Sequence, residues 1–286
     1  MIRKTVLITG STSGIGLAGA EALGAKGWRV LVHGRSEARL APVLDALTTR
    51  VGGGEFVGVT GELGSLAAVA ALADQVRTKT DQLEALWNNA GGLAPSYELG
   101  PDGVERQMAV NYLAPAALSR LLLPLLRAAP QGRILITSSM AHSFAPRRID
   151  AWLTPGARRY RPMAVYGQSK LATILFSREL ARRLDHGGVT VNAYHPGFVR
   201  SGFGSGGDPD RKGSFGFASF IALSPEQGAD TGVWLLDDPA VAGESGGYWI
   251  KRSLRKPSAA VTEEEATRLW ELTEALLSRR LGTLPL

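Results

Sequence analysis

Cysteine is missing from all 286 residues. That excludes disulfides, a thiolate nucleophile and any cysteine-built zinc or iron–sulfur site. Histidine is scarce. His33, His142, His186 and His195 are scattered without H-E-x-x-H spacing, so no histidine-built metal site is expected either. No apolar run approaches the roughly 20 residues of a membrane span; the longest, 114–126, is broken by Pro115, Arg120 and Pro124. The N-terminus lacks the charged start, apolar middle and small-residue cleavage site of a signal peptide, and a cytoplasmic protein is expected. The net charge of +6 has no focus. Basic pairs such as Arg182-Arg183 and Lys251-Arg252 are dispersed and no block interleaves charge with aromatics, so no nucleic-acid surface is expected. There is no internal repeat or low-complexity tract, and the 44% hydrophobic content is ordinary for a globular chain.

What is present is glycine, 35 residues of it, and an alternation of patterns. Short apolar runs at 4–9, 29–33, 55–60, 83–88, 133–137, 189–194 and 248–250 read as strands. Segments with helical spacing lie between them, at 15–26, 37–50, 65–79, 104–129 (two helices), 166–185 and 225–236. Strand and helix in alternation read as βαβ units around a parallel sheet, an α/β architecture. A terminal helix, 262–280, is announced by Thr262 with Glu265 at capping-box spacing. Two segments break the alternation, an Arg- and Pro-rich insert at 140–163 and a Gly-rich lid at 202–222. Loops this long inside a compact domain are usually functional. With no linker in the chain, one domain over 1–286 is expected.

The run Gly10-Ser11-Thr12-Ser13-Gly14-Ile15-Gly16 closes the first strand and opens the first helix. Gly10 permits a tight turn, Gly14 a close backbone approach and Gly16 close packing of helix on strand. Exposed N–H groups and the helix dipole then favour a pyrophosphate. After the second strand, where NAD-binding folds usually carry an acidic residue, stand Arg35 and Ser36. A guanidinium fork there suits a ribose 2′-phosphate, pointing to NADP(H) in preference to NAD(H). Tyr166 and Lys170 share one helix face at i and i+4. A neighbouring ammonium is expected to draw a phenol pKa down from about 10 toward neutrality, as a general acid/base needs.

These motifs occur in order with Asn89-Ala90-Gly91, Asn111, Ser138-Ser139 and Pro196-Gly197. Together they make the chain resemble the short-chain dehydrogenase/reductase family over nearly its whole length. Residues 168–183 and His195-Pro-Gly resemble its retinol-dehydrogenase-like branch. The resemblance implies a Rossmann-type, doubly wound parallel sheet flanked by helices. It also implies a role for each matching residue. Tyr166 exchanges the proton, Lys170 lowers the tyrosine pKa and holds the nicotinamide ribose, Ser139 holds the substrate oxygen, and Asn111 positions a relay water. Asn89, Ala90 and Gly91 line the cofactor, Pro196, Gly197, Val199 and Ser201 seat the carboxamide, and Glu62 and Leu63 flank the adenine. Two positions and one spacing depart from the family pattern. Glu62 stands where Asp is common, Ser201 where Thr is usual, and 26 residues separate Ser139 from Tyr166, about twice the common spacing.

The insert and the segment after Gly197 should border the reaction centre, because ligands of open α/β sheets sit at the carboxyl ends of the strands. Leu93, Met140, His142, Phe198 and Phe203 are the candidate substrate residues, and their character suits a lipophilic carbonyl or alcohol. The expected activity is therefore NADP(H)-dependent interconversion of a lipophilic ketone or aldehyde and its alcohol, with reduction the favoured direction and no metal. An NADP-binding sensor without turnover, and an epimerase or dehydratase on the same fold, stay open. The helices at 115–127 and 166–185 could form a homodimer face; their apolar stripes fit core packing equally well.

Overall fold

A computed structural model describes residues 3–145, 153, 160–184, 188–199 and 222–286. Seven strands run parallel in the order β3-β2-β1-β4-β5-β6-β7, and β8 closes one edge antiparallel to β7. They are β1 (Thr5–Ile8), β2 (Arg29–Gly34), β3 (Glu55–Thr60), β4 (Ala85–Asn88), β5 (Gly132–Thr137), β6 (Val189–His195), β7 (Tyr248–Ile250) and β8 (Ser253–Leu254). The order reverses between β1 and β4, which opens a crevice at the carboxyl ends of the strands. β8 was not expected, because its two-residue connection, Lys251-Arg252, carries none of the usual hairpin signals.

Parallel strands covered on both faces alternate between two cores. Val6, Ile8, Val30, Val32, Ala85 and Trp87 pack on one side under α1 (Gly14–Ala25), α2 (Glu37–Arg50) and later α8 (Pro225–Asp237). Leu7, Leu31, Leu86, Ile134 and Ile136 pack on the other. There they meet α3 (Leu66–Arg77), α4 (Arg106–Met108), α5 (Ala114–Leu121), α6 (Leu123–Ala128) and α7 (Pro162–Arg183). A π-turn, Ala109–Leu113, joins α4 to α5. α7 begins four residues before Tyr166, on Pro162, a residue suited to a helix's first turn because its missing N–H would be unpaired there anyway.

The terminal helix α9 (Glu263–Leu281) is capped as expected, Thr262 Oγ1 accepting from Glu265 N at 3.2 Å. It lies on the face of α5 and α7 that the sequence left open between core packing and a second copy. Trp270 stacks on Phe176 of α7, centroids 5.7 Å apart. Arg120 of α5 pairs with Glu274 and donates to Leu284 O at 2.8 Å. Every residue of α5 is buried. The apolar stripes of these helices are therefore covered within the chain by α9. Of the insert at 140–163, residues 140–145, 153 and 160–163 are described, Pro162 and Met163 opening α7, and of the lid only Ala222.

Candidate active site and cofactor cleft

The loop from β1 to α1 turns through Gly10, whose φ of +64° suits glycine. A Cβ at Gly16 would stand 2.4 Å from Gly10 O, so only glycine lets α1 pack this closely. Ser13 is the N-cap of α1 but makes no side-chain cap, and the first turn holds no acidic residue. That leaves the first-turn N–H groups and the positive end of the helix dipole for an anion. Ser11 is turned inward, its hydroxyl donating to Ile8 O (2.7 Å) and accepting from His33 N (2.8 Å). His33 itself clamps the loop. Gly10 N donates to its Nδ1 and Nε2 donates to Gly61 O, both at 3.0 Å, so the ring is neutral, with its proton on Nε2. Burial lowers its pKa, which favours that form. The sequence reading missed this role; a histidine just before the arginine of β2's end was the only signal.

A cavity of about 1520 Å³ runs from this loop along the carboxyl ends of the strands. Its walls include Gly10, Thr12, Ser13, Gly14, Ile15, Arg35, Glu62, Leu63, Asn89, Ala90, Gly91, Leu93 and Asn111. At the other end stand Ser139, Met140, Tyr166, Lys170, Pro196, Gly197, Phe198 and Val199. Arg39, one turn of α2 beyond Arg35, also faces it and was missed, because within a helix it read as an ordinary surface residue. Ser11, Gly16 and Ser36 do not reach the wall; Ser11 and Gly16 shape the loop and Ser36 is the N-cap of α2. His142 does not reach it either. It is buried, its Nδ1 2.7 Å from Ser139 O and its Nε2 accepting from Ser258 N at 3.1 Å, which makes it a brace under the Ser139 turn and not a substrate contact. Ser201 and Phe203 lie outside the described residues.

At the reaction end, Ser139 is the N-cap of a short 3₁₀ turn and its hydroxyl is hydrogen-bonded to that of Tyr166. Ser138 is fixed behind it, donating to Lys170 O at 2.8 Å. Lys170 Nζ donates to Thr137 O at 2.9 Å and lies 5.6 Å from the Tyr166 ring centre. Asn111, in the π-turn, donates to Gly92 O (2.9 Å) and Ser169 Oγ (3.0 Å) and accepts from Gly92 N (2.9 Å). Its amide thus holds the Gly91-Gly92 turn beside Lys170: a Cβ on Gly91 would come 3.0 Å from Asn111 Oδ1 and 3.3 Å from Lys170 Nζ. Asn89 ties the end of β4 to β1 through Thr9 O at 3.0 Å.

One electrostatic expectation is corrected. Burial pushes Tyr166 up to about 12 against the lowering effect of Ser139, and draws Lys170 down to about 8. Desolvation is the leading cause for both groups, and the ammonium bonds a backbone carbonyl and not the phenol. Farther along the wall, His195 ends β6 with its Nδ1 buried and without a partner among the described residues.

The residues present fit a dinucleotide. The glycine turns, the uncapped helix end and the two arginines fall at one end of the cavity, and the Ser139, Tyr166 and Lys170 group at the other.

Comparison with known proteins agrees. The short chain dehydrogenase family profile matches residues 4–211. Human retinol dehydrogenase 14 is 35% identical over 292 residues, covering 96% of this chain and 86% of that protein. A candidate daunorubicin C-13 ketoreductase of Streptomyces sp. (strain C5) is 37% identical over 274 residues, covering 95% and 92%. The structure of an angucycline C-6 ketoreductase with bound NADP superposes with a TM-score of 0.66 at 28% identity, over 86% of this chain and 92% of that one.

Proposed function

The chain belongs to the short-chain dehydrogenase family, in its retinol-dehydrogenase-like branch, and from that premise we propose an NADP(H)-dependent reductase of lipophilic ketones or aldehydes. The observation that carries the reading is the meeting of Ser139, Tyr166 and Lys170 on one wall of a cavity whose other end is the glycine loop with Arg35 and Arg39. Arg35 and Arg39 would hold the 2′-phosphate, the first turn of α1 the pyrophosphate, and Lys170 with Asn89–Gly91 the nicotinamide half. Bound NADPH would supply a hydride to the carbonyl carbon.

Ser139 and Tyr166 orient the carbonyl by donating hydrogen bonds to its oxygen. As negative charge builds there, the Tyr166 hydroxyl gives up its proton. An alkoxide is more basic than a phenolate, so the transfer is favourable even from a phenol near 12. The same high pKa keeps Tyr166 protonated at neutral pH, as an acid in the reducing direction must be. The ammonium of Lys170 then stabilises the phenolate formed. Leu93, Met140, Met163 and Phe198 give the reaction end an apolar wall, which supports a lipophilic substrate.

The test is turnover of a panel of aryl and alkyl ketones, and of the matching alcohols, with NADPH, NADH and their oxidised forms. Reduction with a preference for NADPH supports the reading. Cofactor binding with no turnover of any member would make the chain a sensor. Product formed with no net cofactor consumption would make it an epimerase or dehydratase.

A further inference from the structure

A smaller cavity of about 400 Å³ adjoins the reaction end and shares Met140, His195, Pro196 and Gly197 with the large one. Its outer wall is α8 and the β7–β8 hairpin. That hairpin turns on Lys251 and Arg252, at φ +51° and +56°, the only non-glycine residues with positive φ among those described. Two-residue hairpins of this kind ordinarily use Asn-Gly, because a β-carbon is strained there. Here the strained turn is held from outside. Arg252 N donates to Thr231 Oγ1 at 3.2 Å, and Arg252 Nε donates to Asp230 Oδ2 at 2.8 Å. The sequence thus forgoes the favourable turn residues and keeps two cations at the mouth of a cavity. Strain of this kind, where surrounding contacts over-determine it, concentrates at functional sites.

The charges at the mouth do not cancel. Asp230 neutralises Arg252, while the Lys251 ammonium has no ion-pair or hydrogen-bond partner among the described residues. At the junction of the two cavities stands His195, whose ring borders both. We infer that this smaller cavity is a cationic subsite for the carboxylate end of a carbonyl substrate, with Lys251 facing the carboxylate. The inference rests on the carbonyl-reductase reading and narrows the substrate class to lipophilic keto acids. The subsite is far larger than the roughly 30 Å³ that one water occupies in the liquid, so a short chain fits inside it.

The experiment compares 4-oxo-4-phenylbutanoate with its methyl ester as substrates under NADPH. The wild type should favour the acid at least tenfold in kcat/KM, and Lys251→Asn should collapse that ratio toward one. Asn tolerates positive φ, so the variant should fold at least as well as the wild type. Turnover of both compounds without preference, or an equal loss on both in Lys251→Asn, overturns the subsite and leaves the reductase reading standing. Turnover of neither counts against the reductase reading. The subsite is then decided by calorimetric titration of 4-phenylbutanoate, which has no carbonyl to reduce, into the protein with NADPH. Binding that weakens at least tenfold in Lys251→Asn and in high salt supports the subsite; absent or unchanged binding overturns it.

Discussion

Tyr166 is only 8% exposed, and the acid strength of its hydroxyl is set by opposing effects of which burial is the larger. Burial raises it and Ser139 opposes the rise. Tyr166→Phe removes the proton but keeps the ring. Turnover should fall by about 10²–10⁴, while the dissociation constant of NADPH, followed by its fluorescence, stays within about threefold of wild type. Persistence of turnover would reject Tyr166 as the acid. At the other end of the cleft, replacing Arg35 and Arg39 together by Ala removes two charge-assisted contacts of about 1.5–3 kcal/mol each at most. NADPH affinity should drop tenfold or more with little change for NADH; equal losses would show that the arginines do not read the 2′-phosphate. The positions of Tyr166, Lys170 and Arg35 on the cavity wall were legible because they depend on spacing along one helix or on one position after a strand. Arg39 and His33 were not. Arg39 reaches the cleft only because α2 starts at its rim, and His33 clamps the loop through Gly61, 28 residues away in sequence.

Elements that carry their own signals were read well, and those defined by what they touch were not. The helix at 37–50 and the strands at 29–33 and 55–60 fell within a residue of their observed bounds, since periodicity and short turns mark them. The terminal helix was legible down to its Thr262 cap, but its partner was not. An apolar stripe looks the same whether it meets another copy or the chain's own C-terminus. The decisive contacts, Trp270 against Phe176 and Arg120 with Glu274, join positions about a hundred residues apart or more. Trp270 is 5% exposed, stacked on Phe176 and flanked by the guanidinium groups of Arg120 (5.0 Å) and Arg183 (4.5 Å). Trp270→Ala should therefore cost about 3–5 kcal/mol, the usual loss for a large buried aromatic, measured by chemical denaturation. A loss under about 1 kcal/mol would mean that α9 is not docked as described.

For the molecule as a whole, the buried titratable groups set a pH optimum of stability. His33, His142 and His195 all have folded pKa values below the ordinary 6.5, His195 near 4, with burial the main cause. The unfolded chain therefore takes up protons first, and stability falls as pH drops below about 6.5. Lys170 is near 8 in the fold against 10.5 when exposed. Between those values the unfolded chain again holds more protons, so stability climbs as pH rises from about 8 toward 10.5. Tyr112, Tyr166 and Tyr194, fully or almost fully buried, are raised above 10. Above pH 10 the unfolded chain loses phenolic protons that the fold retains, and stability falls again. The three trends place the maximum between about pH 8 and 10, above the range of about 5–8 usual for proteins. Thermal midpoints taken from pH 5 to 11 should show it, and a maximum at or below pH 7 would contradict it. Lys170→Met should abolish the rise above pH 8 together with the activity, because the cation proposed to serve Tyr166 is the same one the fold is penalised for burying.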